Sequence, residues 1–163
     1  PPRSTQLRYI ENHDEDRYLD EYGRAAQRAA AAATLTLPGM PMIYYGQETG
    51  MTHFRRPMEW GGDDELTRFH RRLIRARNRN AVLLRGELVE VEWSADTDRA
   101  VAFAREYQGR RVVVVLHFGD GAASVTVEEP LGATDLVTDE AVLNERNGSE
   151  TTVTVETVTV LEA

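Results

Sequence analysis

The chain has 163 residues, 41% apolar and 28% charged, with no cysteine and a formal net charge of −8. That is the composition of an ordinary soluble protein with enough apolar mass for a core. It excludes a disulfide framework and a thiolate metal site, and no run approaches the ~18 apolar residues of a membrane span.

The chain changes character near residue 85. Before it, short apolar strands alternate with helical patterns in a β-α-β-α order; after it, Val- and Thr-rich segments alternate with period two. The first strand is expected at Leu7 to Glu11, ending in the polar cluster Asn12, His13 and Asp14. A helix follows, capped by Asp20 and running to about Thr36. Its Ala25, Ala26, Ala29, Ala30 and Ala33 offer a small-residue face for close approach to a sheet. Pro38 and Gly39 stop it. A second strand, Met42 to Tyr45, is apolar throughout, as a parallel strand buried on both faces would be.

Beyond a loop carrying Met51 to Gly62, a second helix is expected from Asp63 or Asp64 to about Arg79. Leu66, Phe69, Leu73 and Ile74 form its apolar stripe, and Arg68, Arg71, Arg72, Arg75 and Arg79 its other face. Further strands are expected at 87–93, 99–107, 111–118 and 123–128, with a final pair at 151–155 and 157–161. Turns at Asp96-Thr97-Asp98, Gln108-Gly109 and Gly119-Asp120-Gly121 separate them, a spacing that suits a small antiparallel sandwich. The segment 130–150 fits no single element.

Two constellations could carry chemistry. The first is Tyr9-Ile10-Glu11-Asn12-His13-Asp14-Glu15-Asp16-Arg17. A strand ending in Asn-His-Asp puts three polar side chains at the C-terminal mouth of a parallel sheet, where barrel enzymes keep their sites. A carboxylate beside an imidazole there can bind sugar hydroxyls and stabilise positive charge. A polar strand end with helix-capping acids is the plainer alternative. The second constellation is Gly39-Met40-Pro41-Met42-Ile43-Tyr44-Tyr45-Gly46-Gln47-Glu48. Gly46 allows a tight turn at the strand end. Tyr44 and Tyr45 could stack on sugar rings, but the preferred reading is structural, with both tyrosines in the wall and Glu48 paired to an arginine.

Taken in order, ENHDEDR, an alanine-rich helix and GMPMIYYGQE closely resemble the end of the catalytic barrel of the α-amylase family (glycoside hydrolase family 13). Arg55-Arg56-Pro57-Met58-Glu59-Trp60 is similar to a loop of the maltogenic amylase, cyclomaltodextrinase and oligo-glucosidase branches. The likeness covers essentially the whole chain. It implies the last two β/α units of a (β/α)₈ TIM barrel over residues 1–84, then a C-terminal β-sandwich over 85–163.

By this resemblance Asp14 matches the family's third carboxylate, which stabilises the transition state and does not attack the sugar. His13 matches the histidine that hydrogen-bonds sugar hydroxyls at the cleavage point, and Asn12 stands beside it. Arg56 and Trp60 would shape the substrate-side loop, with Arg56 as a binding candidate. Arg17, Tyr45, Gly46 and Glu48 would be structural. The implied partner is an α-glucan or maltooligosaccharide, cleaved or transferred at α-1,4 or α-1,6 bonds.

A retaining glycosidase also needs a nucleophile and an acid/base about 5–5.5 Å apart. In the family both lie on earlier barrel strands, so this chain alone is not expected to hydrolyse glucans. Two parallel strands also leave an open edge, for the rest of the barrel or for self-association. A non-catalytic carbohydrate-binding or structural module derived from such an enzyme is the alternative, with Trp93 and Tyr107 as stacking rings or, more ordinarily, as core.

No metal site is expected in this chain, and calcium in a complete enzyme stays open. His53 reads as a loop residue, His70 as helix surface and His117 as a satisfied sheet histidine. All 19 basic residues are arginine, against 27 acidic ones. A field of that sign disfavours nucleic acid and anionic membranes, so neither is an expected partner. A GC-rich genome and adaptation to high salt both account for the usage, and they are compatible. Pro1 and Pro2 are not a start methionine, which leaves room for an upstream segment, and no signal peptide is in view. The expectation is a soluble chain, read as cytoplasmic.

Overall fold

The computed structural model describes residues 6–53 and 55–163. The first half holds strand β1 (Leu7–Arg8), helix α1 (Tyr18–Thr36), strand β2 (Met40–Pro41), a 3-10 turn (Gln47–Thr49), helix α2 (Asp64–Arg79) and the short helix α3 (Ala81–Arg85). The second half holds β3 (Glu87–Val89), β4 (Trp93–Ala95), β5 (Ala100–Tyr107), β6 (Arg110–His117), β7 (Ala123–Val127), β8 (Asn144–Asn147), β9 (Glu150–Val155) and β10 (Val158–Glu162).

β1 and β2 pair in parallel, Leu7 opposite Met40 and Arg8 opposite Pro41. β1 is shorter than expected, and β2 lies just before the expected Met42 to Tyr45, which is not in strand form. Each has one hydrogen-bonded neighbour, so nothing holds residues 9–11 in a ladder, and Pro41 has no N–H to extend one. The second strand is not buried on both faces either: Met40 is exposed, and Met42 to Tyr44 are half-buried along the open side.

α1 begins two residues before the expected cap. Asp20 lies inside its first turn, and the Glu11 carboxylate accepts the Tyr18 N–H instead (2.9 Å). Gly23 sits within the helix at φ 80° and ψ 175°, which divides it at a kink. α2 starts as expected, with the Asp63 carboxylate accepting from Leu66 N (2.9 Å). An ion pair with Arg24 and that cap hold the Asp63 carboxyl down to about 2. Asn80 then caps α3, a turn of helix the sequence did not announce.

The strands form two four-stranded antiparallel sheets, ordered β10-β6-β5-β3 and β4-β7-β9-β8. The expected strand at 87–93 divides, because the chain leaves one sheet after Val89 and enters the other at Trp93. The expected final pair also separates: β9 joins β7 and β8, whereas β10 joins β6. The segment 130–150 supplies a bridge between Thr134 and Ala141 and then β8. The β5–β6 hairpin turns on Gln108 and Gly109, both with positive φ (52° and 76°), the geometry that matches strand twist.

Two apolar clusters organise the chain. One lies between the two sheets, with Ala102, Ala104, Val113 and Val115 facing Val125, Val127, Val153 and Val155. The other joins Leu35, Leu66, Phe69, Leu73 and Leu83 of the helices to Val112, Val114, Leu116 and Val160 of the first sheet. Burying such side chains stabilises by about 1.5–3 kcal/mol each, so helices and sheet share one core.

Two buried arginines reinforce that contact. Arg77 of α2 donates to the carbonyls of Leu35 (2.8 Å), Leu37 (3.0 Å) and Gly39 (2.7 Å). Arg105 of β5 donates to those of Thr36 and Gly86. α1 has no basic residue in its last turn, so its terminal carbonyls are capped from other elements. Among the described residues no helix is long and apolar enough to cross a membrane.

Candidate active site

Beyond β1 the chain turns through Asn12 to Asp16. Asn12 Oδ1 accepts the Asp14 N–H (2.7 Å), a local bond that fixes the turn. His13 and Asp14 project into solvent with their side chains 69% and 64% exposed, and His13 Nε2 lies 3.2 Å from Asp14 Oδ2. Arg55 ties the opposite loop to this pair: its Nη2 reaches Asp14 Oδ1 (2.7 Å) and its Nε the His13 carbonyl (2.8 Å). His53 and Arg55 both take positive φ (61° and 60°), a backbone form that costs non-glycine residues ~1–3 kcal/mol.

The turn rests on a buried ion pair. Arg17 Nη1 meets Glu11 Oε1 at 2.7 Å, with side-chain exposures of 0% and 2%. The guanidinium also lies 4.8 Å from the Tyr44 ring and 5.2 Å from the Tyr45 ring, and its Nε donates to the His53 carbonyl (3.3 Å). Arg17 therefore joins the β1 turn, the segment after β2 and the loop. The Asp20 carboxylate accepts from His53 N (3.1 Å), a second tie to that loop. Tyr45 adds a third through its hydroxyl, which donates to the Arg56 carbonyl (2.6 Å).

Gly46 sits buried in the left-handed region at φ 82°, and a Cβ there would collide with Met51. Glu48 differs from its expectation. It forms no ion pair among the described residues, and its Oε2 is buried without a hydrogen-bond partner. The Arg56 side chain is exposed, as is Trp60 at 86%, and the structure does not bring Arg56 to Asp14. Trp93 and Tyr107 are half-buried and pack against the two core clusters.

Two histidine expectations change. His70 is buried, not on the helix surface, with Nδ1–H donated to the Leu66 carbonyl (2.9 Å) and Nε2 facing the Gln47 amide (3.4 Å). His117 is buried in β6, but its Nδ1 has no hydrogen-bond partner, because the strand ladder occupies only backbone groups there. His53 lies in the loop. The described residues hold no cluster of three or more potential metal ligands.

Burial pushes the His70 pKa below its ordinary value. A folded pKa below the unfolded one means that the stabilisation is complete above about pH 6.5 and is lost as pH falls toward the folded pKa. His70→Gln is therefore expected to flatten the loss of thermal stability between pH 7.5 and 5. Parallel curves for the two proteins would contradict this.

The site residues the sequence missed are Glu11 and Arg55. Glu11 was legible only as an acid six positions before Arg17, and Arg55 as the neighbour of the arginine chosen.

The family model described as alpha amylase, catalytic domain, matches residues 2–110. The α-amylase MalA of Haloarcula japonica is 38% identical over 100% of this chain and 25% of its own length. Neopullulanase 2 of Thermoactinomyces vulgaris is 36% identical over 74% of this chain and 22% of its own. The crystal structure of a maltogenic α-amylase from Thermotoga neapolitana superimposes with a TM-score of 0.83 at 21% identity, covering 100% of this chain and 42% of that one, a likeness of fold. The chain belongs to the α-amylase family, and it spans about a quarter of the length of the relatives it matches.

Proposed function

We propose that this chain is the closing part of a retaining α-glucan glycoside hydrolase or transglycosylase, acting on α-1,4 or α-1,6 glucosidic bonds. Residues 1–84 form the last two β/α units of a (β/α)₈ barrel and residues 85–163 a C-terminal β-sandwich. The observation that carries the reading is the pair His13 and Asp14, exposed at the end of a parallel strand pair and tied across to the Arg55 loop. Cleavage of a glycosidic bond passes through an oxocarbenium-like state, and a fixed carboxylate beside that carbon is worth most there. Asp14 supplies that charge, and His13 and Asn12 supply hydrogen-bonding groups for sugar hydroxyls. Arg17, Tyr45 and Gly46 hold the framework, while Arg56 and Trp60 stand on the substrate-side loop.

The nucleophile and the acid/base belong to strands outside this chain. Reducing-sugar release from maltooligosaccharides by the full-length protein and by its Asp14→Asn variant tests the reading; equal rates would end it. The open edge of the β1–β2 pair implies that the isolated chain either self-associates or needs the rest of the barrel. A monodisperse monomer by light scattering would count against that.

A further inference from the structure

Away from the Asp14 site, the charges of this chain are sorted by sign. α2 carries six arginines and two acids, so the other residues hold a net −12 against −8 for the whole chain. Both acids, Asp64 and Glu65, lie in its first turn. Beyond them Arg68, Arg72, Arg75 and Arg79 recur at spacings of four, three and four, which aligns them in one exposed stripe about 16 Å long. Like charges at these spacings destabilise a helix, and no acid interleaves them.

Beside the stripe run two adjoining cavities of about 420 and 300 Å³, which share Arg72, Val137 and Thr138. Asp139, Glu140 and Glu156 also line them, from the segment before β8 and the turn between β9 and β10, and all three are exposed. Among the described residues, the side chains of these arginines and acids make no ion pair or hydrogen bond, with each other or elsewhere. Leu143, on the larger cavity, is 82% exposed. One patch therefore holds a basic stripe, an acidic rim and a bare leucine. Such a surface is self-complementary under a two-fold axis, where each copy's cations meet the other's carboxylates.

The stripe also points away from the open side of β2, where the rest of a barrel would join. α2 meets that side through Thr67, Arg71 and Ile74, and Ile74 lies roughly 130° around the helix from the stripe.

We propose that this patch is the contact between two copies of the full-length protein related by a two-fold axis. Arg68, Arg72, Arg75 and Arg79 of each copy face Asp139, Glu140 and Glu156 of the other, and Leu143 is covered in the contact. The surface is distinct from the β1–β2 edge and does not depend on the glycosidase reading.

Sedimentation velocity of the full-length protein, in the lowest salt that keeps it folded, is expected to show a reversible dimer. Arg72→Glu/Arg75→Glu and Glu140→Arg/Glu156→Arg each set like charge against like. Each variant alone is expected to sediment as a monomer with the circular dichroism of the wild type. Mixed in equal amounts, the two are expected to form a heterodimer, because every reversed stripe then meets a reversed rim. Three results would overturn the proposal: a monomeric wild type, a dimer that neither reversal disturbs, or monomeric variants that stay monomeric when mixed. A monomeric wild type held on heparin, and released by Arg72→Glu/Arg75→Glu, would assign the stripe to a polyanion instead.

Discussion

Replacing Asp14 by Asn in the full-length protein is expected to lower kcat on maltooligosaccharides by about 10²–10³-fold, with a much smaller change in KM. The substrate is neutral and the transition state is not, so a lost carboxylate charge falls mainly on the rate. The substitution suits the local geometry. The Asp14 N–H keeps its bond to Asn12 Oδ1, and an amide oxygen can still accept from Arg55 Nη2. The turn therefore keeps its shape while the charge disappears, and thermal stability should hardly move because the side chain is 64% exposed. A variant within tenfold of wild-type kcat would remove Asp14 from the chemistry.

The second large effect is on stability. Arg17→Met is expected to destabilise the protein by about 3–5 kcal/mol, because it strands the Glu11 carboxylate without its cation in a site that is 2% exposed. The same change loses the guanidinium from the Tyr44 and Tyr45 rings and the bond to the His53 carbonyl. Glu11→Gln/Arg17→Met should recover part of the loss, since no uncompensated charge remains. Denaturant midpoints for the wild type and both variants measure this. A loss below about 1 kcal/mol for Arg17→Met would mean that the pair is better solvated than its burial implies.

Much of the fold was legible because its signals are local. The span of α2 follows from its cap and apolar spacing, and the β5–β6 hairpin from Gln108-Gly109 between Val-rich runs. The same helix also shows how residue type can mislead. Leu66, His70, Leu73 and Arg77 follow one another at spacings of four, three and four, and all four are buried. The period was in the sequence, but His70 was assigned to the helix surface by type and Arg77 was given to neither face. Each is admitted to the interior by carbonyls from elsewhere in the fold or the preceding turn: Leu66 O for His70, and the end of α1 for Arg77.

The missed site contacts have a different cause. The bonds of Arg55 to Asp14 and of Arg17 to the His53 carbonyl join residues 41 and 36 positions apart, and no local pattern encodes them. The shortened β1, and a β2 that ends at Pro41 before the expected strand begins, follow from what stands beside them. A strand's length depends on its neighbours, and each of these has one.

Reducing-sugar release from maltooligosaccharides and soluble starch by this 163-residue chain alone, purified in concentrated salt, tests the account most directly. The account predicts no activity above buffer for wild type or for Asp14→Asn, while the full-length protein is active. Hydrolysis by the chain alone that Asp14→Asn abolishes would contradict it, for the nucleophile and the acid/base would then have to lie within these residues.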